Sequence, residues 1–424
     1  MKSVNRIIGI TALAVALSSR ADVVTDWNNV ALDAIRAGRT SPPQASRQLA
    51  ILHTAIYDAV NGITQTHEPY RVPGKASGGA SVEAAVHAAA HSVMVNLYPS
   101  MTAMFDAAYN SATGNLPNGP AKSKGLAWGA HVAQAILADR ANDGSTNTVP
   151  YAPGTNPGEW RPTISFGGVV RPPLLPQWGT VKCFGIKAGS QFRPPTPPAL
   201  TTHQYADEVN QVKSLGETNS TARTADQTQI AYFWANGAGT ATPPGHWNQI
   251  AQIVAEQEGN TLAENARLFA LLNIAEADAA IVSWDCKYAY NYWRPITAIR
   301  EADTDNNPLT IQDSTWAPLL FTPPFPEYTS GHSTFSGAAA VVLAMFYGTD
   351  DIPFTGASDD VPGAMRYYTS FSQAAEESGA SRIYAGIHFW SANVHGLATG
   401  ASVGEYVSEH LLRPRRERSQ RGQH

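Results

Sequence analysis

Lys287 and Arg294, with the aromatic residues around them, form the stretch of the chain best suited to chemistry. They lie seven residues apart, and on a helix this spacing places both side chains on one face. Two neighbouring cations repel each other unless an anion lies between them. The surrounding aromatic residues are Trp284, Tyr288, Tyr290, Tyr292 and Trp293. So much aromatic surface indicates burial, and a buried cation needs a partner, which favours an anion site. The simpler alternative is a solvated basic face.

A second candidate segment is Ser330-Gly331-His332, which precedes a helix predicted over Ser333–Tyr347. The start of a helix offers free backbone N–H groups and the positive end of the helix dipole, both of which suit an oxyanion. Gly331 allows close approach of the backbone, and the imidazole of His332 can take or give a proton. Taken alone, the segment is better explained as an ordinary serine-capped helix.

The third segment carries Arg382 and His388, six residues apart. We predict that Arg382 follows a helix and that His388 lies in the loop before the last helix. Arginine is common at the end of a helix, and a histidine in a loop often only packs against its neighbours. The segment gains meaning only in combination with the other two.

The composition limits the classes of function. The chain has 424 residues, of which 43% are hydrophobic and 15% charged, enough for one large domain or two. A net charge of −5 argues against binding nucleic acid. Positive charge that matters for function must therefore be local.

The first 21 residues read as a secretory signal. Lys2 and Arg6 precede an apolar run of eleven residues, Ile7–Leu17, and small residues at positions 19 and 21 suit cleavage after Ala21. This predicts a secreted or periplasmic protein. No other stretch is long and apolar enough for a bilayer, so we expect no membrane span. Cys183 and Cys286 either pair or remain as free thiols.

Helical periodicity dominates the chain and predicts an all-α fold. We divide the mature chain into an N-terminal helical region (22–200), which contains a Pro- and Gly-rich segment (150–198), a helical core (201–412) and a disordered basic tail (413–424). The segment 150–198 is expected to wrap or line a site. Further predictions are a long helix over 261–300 that is kinked or ended near Pro295, a loop over 237–248, and helices over 333–347, 363–379 and 393–412.

In chain order the three segments are Lys-x6-Arg-Pro, Ser-Gly-His and Ser-Arg-x5-His. This order resembles the superfamily of vanadium-dependent haloperoxidases and type 2 phosphatidic acid phosphatases, and most of all its secreted vanadium chloroperoxidase-like enzymes. The resemblance covers Trp284 to Gly396 and implies a helical bundle. It also implies an oxyanion cradle made by Lys287, Arg294, Ser330, Gly331, Arg382 and His388. In that cradle His388 bonds the central atom, which is the vanadium of vanadate, and His332 handles protons.

Two departures from the superfamily pattern affect the cradle. Thr329 stands where a proline usually precedes Ser-Gly-His. Many members carry an aspartate four residues after the last histidine to hold its imidazole, and Ala392 stands there instead. The group that orients His388 is therefore open, with Ser391 and Asn393 as neighbouring candidates.

The resemblance leaves two enzymatic activities open. A haloperoxidase would hold vanadate and use hydrogen peroxide to oxidise halide to hypohalous acid, which halogenates a small organic acceptor. A phosphatase would form a phosphohistidine at His388, with phosphate in the cradle. No carboxylate cluster accompanies the cations, so we expect no divalent metal.

Two observations favour the haloperoxidase. Trp284 and Phe325 match positions that line the halide pocket of fungal chloroperoxidases in this superfamily, although both residues could equally be core. More than half of the mature chain also precedes the first motif, far more than in small soluble phosphatases. A non-catalytic, secreted oxyanion-binding protein is the third reading. The sequence indicates neither the preferred halide nor the oligomeric state.

Overall fold

The computed structural model describes residues 22–164 and 168–415. The predicted signal peptide and residues 416–424 of the predicted tail lie outside this part. Within it, thirteen α-helices are accompanied by one two-stranded antiparallel hairpin, in which Phe354 pairs with Tyr368. The prediction of an all-α fold is confirmed. None of the described helices is long and apolar enough to cross a bilayer.

The first seven helices are α1 (Val23–Gly38), α2 (Pro42–Thr64), α3 (Val82–Leu97), α4 (Thr102–Gly114), α5 (Pro120–Arg140), α6 (His203–Leu215) and α7 (Ala225–Phe233). The other elements are α8 (Thr242–Glu258), α9 (Leu262–Tyr290), α10 (Pro295–Arg300), α11 (Gly331–Tyr347), β1 (Phe354–Ala357), β2 (Met365–Tyr368), α12 (Phe371–Tyr384) and α13 (Trp390–His410). The proposed boundary near residue 200 stays a prediction.

Helix α9 lies at the centre of the fold. It begins with a capping box, in which Thr261 and Glu264 satisfy each other's backbone N–H groups. Its 29 residues are buried on almost every side, as expected of a helix that is apolar all round. Helices α2, α11 and α13 pack against it. Lys287, in the last turn of α9, is therefore buried in the interior.

Helices α11 and α13 approach each other closely through glycines. A Cβ atom on Gly337 of α11 would collide with the carbonyl of Leu397, and one on Gly400 of α13 with the carbonyl of Thr334. The backbone N–H of Ser330 also donates to the carbonyl of Ala392 at 3.1 Å. This contact fixes the Ser-Gly-His turn beside the loop that carries His388.

The predicted long helix over 261–300 is wrong in one consequential respect. Helix α9 stops at Tyr290, and Asn291 adopts a left-handed conformation with φ 49°, which asparagine tolerates better than most residues. Arg294 is extended, with ψ 155°, because the following Pro295 disfavours a helical conformation there. Lys287 and Arg294 thus do not share a helical face, and a turn brings them together instead.

Three smaller predictions also need correction. The predicted loop over 237–248 gives way to helix α8 at Thr242, since prolines are well tolerated in a first helical turn. The predicted helix over 363–379 is strand β2 followed by α12, which starts after a Ser370 cap. The tail is ordered at its beginning, where Arg413 pairs with Glu68 at 3.1 Å.

The Pro- and Gly-rich segment 150–198 wraps the end of α9, as predicted. The N–H of Trp160 donates to the carbonyl of Asn291 at 2.7 Å. The carbonyl of Leu174 accepts hydrogen bonds from Tyr288 at 2.7 Å and Trp284 at 3.2 Å. The segment therefore satisfies polar groups on the aromatic residues that surround the predicted site.

Candidate anion-binding site

Arg294 is fully buried at the start of α10. Its guanidinium donates to the carbonyls of Phe325 (2.9 Å) and Ile387 (2.7 Å), and to Nε2 of His388 at 3.1 Å. Its Nη2 atom is buried and has no hydrogen-bond partner among the described residues. Burial lowers the pKa of Arg294 to about 10. Arg294 thus presents donor capacity that the protein itself does not use.

Lys287 is equally buried. Its Nζ atom donates only to backbone carbonyls, those of Pro326 at 3.3 Å, Glu327 at 3.1 Å and Thr329. Burial and, next, the charge of Arg294 lower the pKa of Lys287 well below its usual value. An anion between the two side chains would reverse this effect, because it favours the charged form of both.

Arg382 lies in the last turn of α12 and is 2% exposed. Its guanidinium donates to Oγ of Ser381 at 2.9 Å and to the carbonyl of Trp234 at 2.9 Å. Burial lowers the pKa of Arg382 to about 9. Neither it nor Lys287 nor Arg294 donates a hydrogen bond to a carboxylate within the described chain. Three buried cations therefore lack direct neutralisation.

Ser330 and Gly331 open helix α11 next to these cations. Oγ of Ser330 accepts from the N–H of Ser333 at 3.3 Å and from its hydroxyl at 2.8 Å. Gly331 is the first residue of the helix, so its N–H has no intrahelical acceptor. A Cβ atom at Gly331 would lie 3.7 Å from the Trp284 ring. The helix start thus adds backbone donors and a dipole that favours an anion.

His388 is held by a residue that the sequence motifs did not indicate. Its Nδ1 lies 2.8 Å from Oε1 of Glu327, and the same oxygen accepts from the N–H of Phe389 at 2.9 Å. Because Arg294 donates to Nε2, these contacts assign the proton to Nδ1 and leave the lone pair on Nε2. The neutral imidazole therefore directs the lone pair of Nε2 towards Arg294.

The charges around His388 keep it neutral. Burial and, next, the cation of Arg294 lower the pKa of His388 well below its usual value. Burial raises the pKa of Glu327 to about 8, against the opposing effect of Arg294. Glu327 also contacts Lys287 through its backbone carbonyl at 3.1 Å. Lys287 and His388 therefore both contact Glu327, Lys287 at its backbone carbonyl and His388 at its carboxylate.

Known proteins resemble the part of the chain that carries this site. The family model described as VCPO second helical-bundle domain matches residues 267–417. The chain is 30% identical over 254 residues to the vanadium chloroperoxidase of Curvularia inaequalis, a match that spans 46% of this chain and 42% of that relative. It also resembles the first bacterial vanadium-dependent iodoperoxidase of known structure, with a TM-score of 0.81, 29% identity and coverage of 93% of this chain and 97% of that one.

The family model, the Curvularia relative and the iodoperoxidase structure support the resemblance of this chain to the vanadium haloperoxidase and type 2 phosphatidic acid phosphatase superfamily. Its fold is also that of a bacterial vanadium-dependent chloroperoxidase, whose apo form has a TM-score of 0.70 at 17% identity over 86% of this chain and 92% of that one. The holo form gives the same TM-score at 18% identity, with 87% and 92% covered.

His332, the histidine of the Ser-Gly-His motif, lies in the first turn of α11. Its side chain is partly exposed, but its Nε2 atom is buried and has no partner among the described residues. Burial and then the charge of Arg382 lower the pKa of His332 well below its usual value. A neutral imidazole with an unused nitrogen is suited to accept a proton.

Trp284 and Phe325 form an aromatic wall beside the cations. Their ring centroids are 5.0 Å apart. The Phe325 centroid lies 4.9 Å from Nζ of Lys287 and 4.8 Å from Cζ of Arg294. Both residues thus contact the positive charge, and they also pack with the main hydrophobic core.

The two residues considered as partners of His388 have other contacts. Ser391 donates to Glu208 at 2.7 Å, and Oδ1 of Asn393 accepts from Ser333 at 2.8 Å. The only sequence signal for Glu327 was an acidic side chain inside an apolar, Pro-rich segment directly before Ser-Gly-His. Cys183 and Cys286 are both free thiols.

Proposed function

We propose that the protein is a vanadate-dependent haloperoxidase, which oxidises halide with hydrogen peroxide to hypohalous acid. One observation carries the proposal. Among the described residues, no carboxylate is hydrogen-bonded to the buried side chains of Lys287, Arg294 and Arg382. Arg294 donates to Nε2 of His388, and burial and then the charges of all three cations lower the pKa of that imidazole. Such an arrangement is costly for a protein unless a ligand completes it.

The residues fit vanadate. A tetrahedral oxyanion would accept from the three cations, from Oγ of Ser330 and from the N–H of Gly331, and it would use the unpartnered Nη2 of Arg294. His388 would supply Nε2 as the ligand to vanadium, while Arg294 would turn its donors from the histidine to the anion. Bound vanadate supplies a centre that activates hydrogen peroxide for transfer of one oxygen atom to halide.

The overall reaction defines what the protein must do. Halide, hydrogen peroxide and one proton give hypohalous acid and water; the halide loses two electrons, the O–O bond accepts them and breaks, and an O–halogen bond forms. His332, neutral and with a free nitrogen, would take a proton from peroxide and return it to the departing oxygen. The three cations stabilise negative charge on the oxygen atoms.

The aromatic wall gives the halide a place to approach. Trp284 and Phe325 exclude water on one side of the cations, and a large, weakly hydrated anion tolerates an apolar surface better than water does. Iodide is oxidised more easily than bromide or chloride, and the 29% identical structural relative is an iodoperoxidase. We therefore propose iodide first, then bromide, with a small organic acceptor consuming the hypohalous acid.

The decisive experiment measures two activities of one sample. Purified protein is assayed for peroxide-dependent iodide, bromide and chloride oxidation, with and without added vanadate, beside hydrolysis of a phosphoester. The proposal expects halide oxidation only with vanadate. Efficient phosphoester hydrolysis without halide oxidation would instead assign the phosphohistidine activity to His388. Tight phosphate binding without either turnover would identify a binding protein.

Export is a separate part of the proposal. Cleavage after Ala21 would release a mature chain that begins at Asp22, the residue whose side chain caps α1. N-terminal sequencing of protein recovered from the periplasm or the medium should therefore start at Asp22. Recovery of chains that retain Met1 would remove this part of the proposal.

A further inference from the structure

Glu327 occupies an unusual place for an acid. It is fully buried, its Oε1 accepts from Nδ1 of His388 and from the N–H of Phe389, and its Oε2 has no partner among the described residues. No other carboxylate in the described chain is hydrogen-bonded to the imidazole or to the three cations. The position at which many superfamily members hold this histidine is occupied by Ala392, which has no acceptor in its side chain.

The contact determines which nitrogen of His388 can bond a ligand. With Nδ1 donating to Glu327, the lone pair must be on Nε2. Without that acceptor, the proton could move to Nε2, where it would block a bond to the central atom of an anion. Partners that hold the far nitrogen of a ligating histidine fix its tautomer and increase its basicity.

Vanadate and phosphate differ in what they need from this nitrogen. Both are tetrahedral oxyanions of similar size, so the cations, Ser330 and Gly331 attract both in much the same way. Vanadate in the proposed enzyme also forms a bond to Nε2, whereas phosphate binds reversibly without one. A residue that controls Nε2 therefore affects the two anions unequally.

We infer that Glu327 is a positioning residue that makes Nε2 of His388 available and so determines the preference of the cradle for vanadate over phosphate. The inference rests on the proposed function in so far as vanadate is the resident anion. The inference requires only that an oxygen at the position of Glu327 Oε1 accept a hydrogen bond from Nδ1 of His388.

The test measures equilibrium binding of vanadate and of inorganic phosphate to the full mature chain. Glu327→Leu removes the acceptor at similar volume, and Glu327→Gln keeps an acceptor oxygen. We expect Glu327→Leu to weaken vanadate binding about 10- to 100-fold, the usual effect of losing such a partner. Phosphate binding should change by less than about threefold, and Glu327→Gln should restore most of the preference. Glu327→Met serves as the second acceptor-free variant if Glu327→Leu does not fold.

Glu276→Leu is the matched control. Glu276 is also fully buried; among the described residues one of its oxygens has no hydrogen-bond partner and the other accepts from Asn248. It lies eleven residues before Lys287 on α9, about 16 Å along the helix. We expect this variant to leave both affinities within about threefold of the wild type, because Glu276 is remote from the cradle.

A spectroscopic readout separates positioning from general damage. In protein labelled with ¹⁵N-histidine, wild-type His388, assigned by its absence in His388→Ala, should show a protonated Nδ1 and an unprotonated Nε2. Glu327→Leu should show a shift towards the other tautomer. Equal weakening of both anions, an unchanged vanadate preference, or a Glu327→Gln variant as defective as Glu327→Leu would overturn the inference. Absence of halide oxidation by the wild type would refute the proposed function while leaving this binding test valid.

Discussion

Two buried arginines in this molecule differ in whether a carboxylate pairs with their charge. Arg140, at the end of α5, is 2% exposed and pairs with Asp143, which also accepts from Arg47 at 2.7 Å. Its guanidinium stacks 3.7 Å from the Phe184 centroid and donates to two backbone carbonyls. Arg294 is buried to the same degree, but within the described part of the chain no carboxylate accepts from it and one of its nitrogens has no partner.

The difference separates a structural charge from one reserved for a ligand. A paired buried arginine contributes to a network that is complete in the folded chain, so removing it leaves buried acceptors without one of their donors. The unpaired cations at the cradle are instead destabilised by burial, which lowers the pKa of Arg294 to about 10 and that of Arg382 to about 9. We expect a bound anion to offset this destabilisation, because it favours the charged forms of both arginines.

The largest expected contrast comes from replacing one arginine of each kind by methionine. Arg140→Met should cost about 2–3 kcal/mol of unfolding free energy, because the interior loses charge-assisted hydrogen bonds to Asp143 and to two backbone carbonyls while Arg47 still pairs with Asp143. Arg294→Met should change stability by less than about 1 kcal/mol, because relief of a desolvated charge offsets lost hydrogen bonds, yet it should reduce halide oxidation at least about 100-fold. Denaturant unfolding and initial rates measure the two effects. The reverse pattern would refute the distinction.

Within the cradle, the two motif histidines should differ as clearly. His388→Ala should abolish halide oxidation and weaken retention of vanadate, because the ligand nitrogen is gone. His332→Ala should lower turnover roughly 100-fold or more and still retain vanadate, because this residue moves protons and does not bond the anion. Vanadate retained after gel filtration is measured for both variants. Equal retention would contradict the assignment of roles.

A smaller effect is expected from the aromatic wall. Phe325→His and Trp284→Ala should change the chloride-to-bromide turnover ratio several-fold at saturating vanadate, because the wall would exclude water beside the cations where halide is oxidised. Chloride oxidation should change more than bromide oxidation, since chloride is harder to oxidise. Phosphoester hydrolysis should stay similar or rise. An unchanged halide ratio in both variants would show that the wall only packs.

The smallest expected effect is on how the stabilisation of the protein by a bound anion depends on pH. Sulfate, whose charge is constant across this range, should raise the melting temperature by a few degrees at pH 7.5. Its effect should decline as the pH rises through about 9 and 10, since Arg382 and Arg294 lose their protons there. Deprotonation of Glu327, with its pKa raised to about 8 by burial, acts in the same direction. A profile that is flat to pH 10 would contradict unneutralised cations.

The helical fold could be predicted from the sequence because helical periodicity is local information. The residues of the cradle stay a prediction that rests on three short motifs. It did not predict how Lys287 and Arg294 meet. The expected shared face fails because Asn291 ends the helix and Pro295 forces Arg294 into an extended conformation. The motif spacing still located the site, since the turn preserves proximity.

The partner of His388 could not be predicted for a different reason. Glu327 and His388 are 61 residues apart, and their contact depends on how the segment before α11 packs against the loop before α13. Local patterns carry no information about such a long-range pair. The nearest residues in sequence, Ser391 and Asn393, were natural candidates, but the helical geometry of α13 directs them to Glu208 and Ser333.

The central claim is most directly tested by titrating anion-free enzyme with vanadate while following peroxide-dependent iodide oxidation. Three buried cations around one histidine predict activity that is absent without vanadate, rises to a plateau at one vanadate per chain and is inhibited by competing phosphate. Activity that is independent of vanadate, or a wild-type chain that binds vanadate at this stoichiometry and oxidises no halide, would contradict the account.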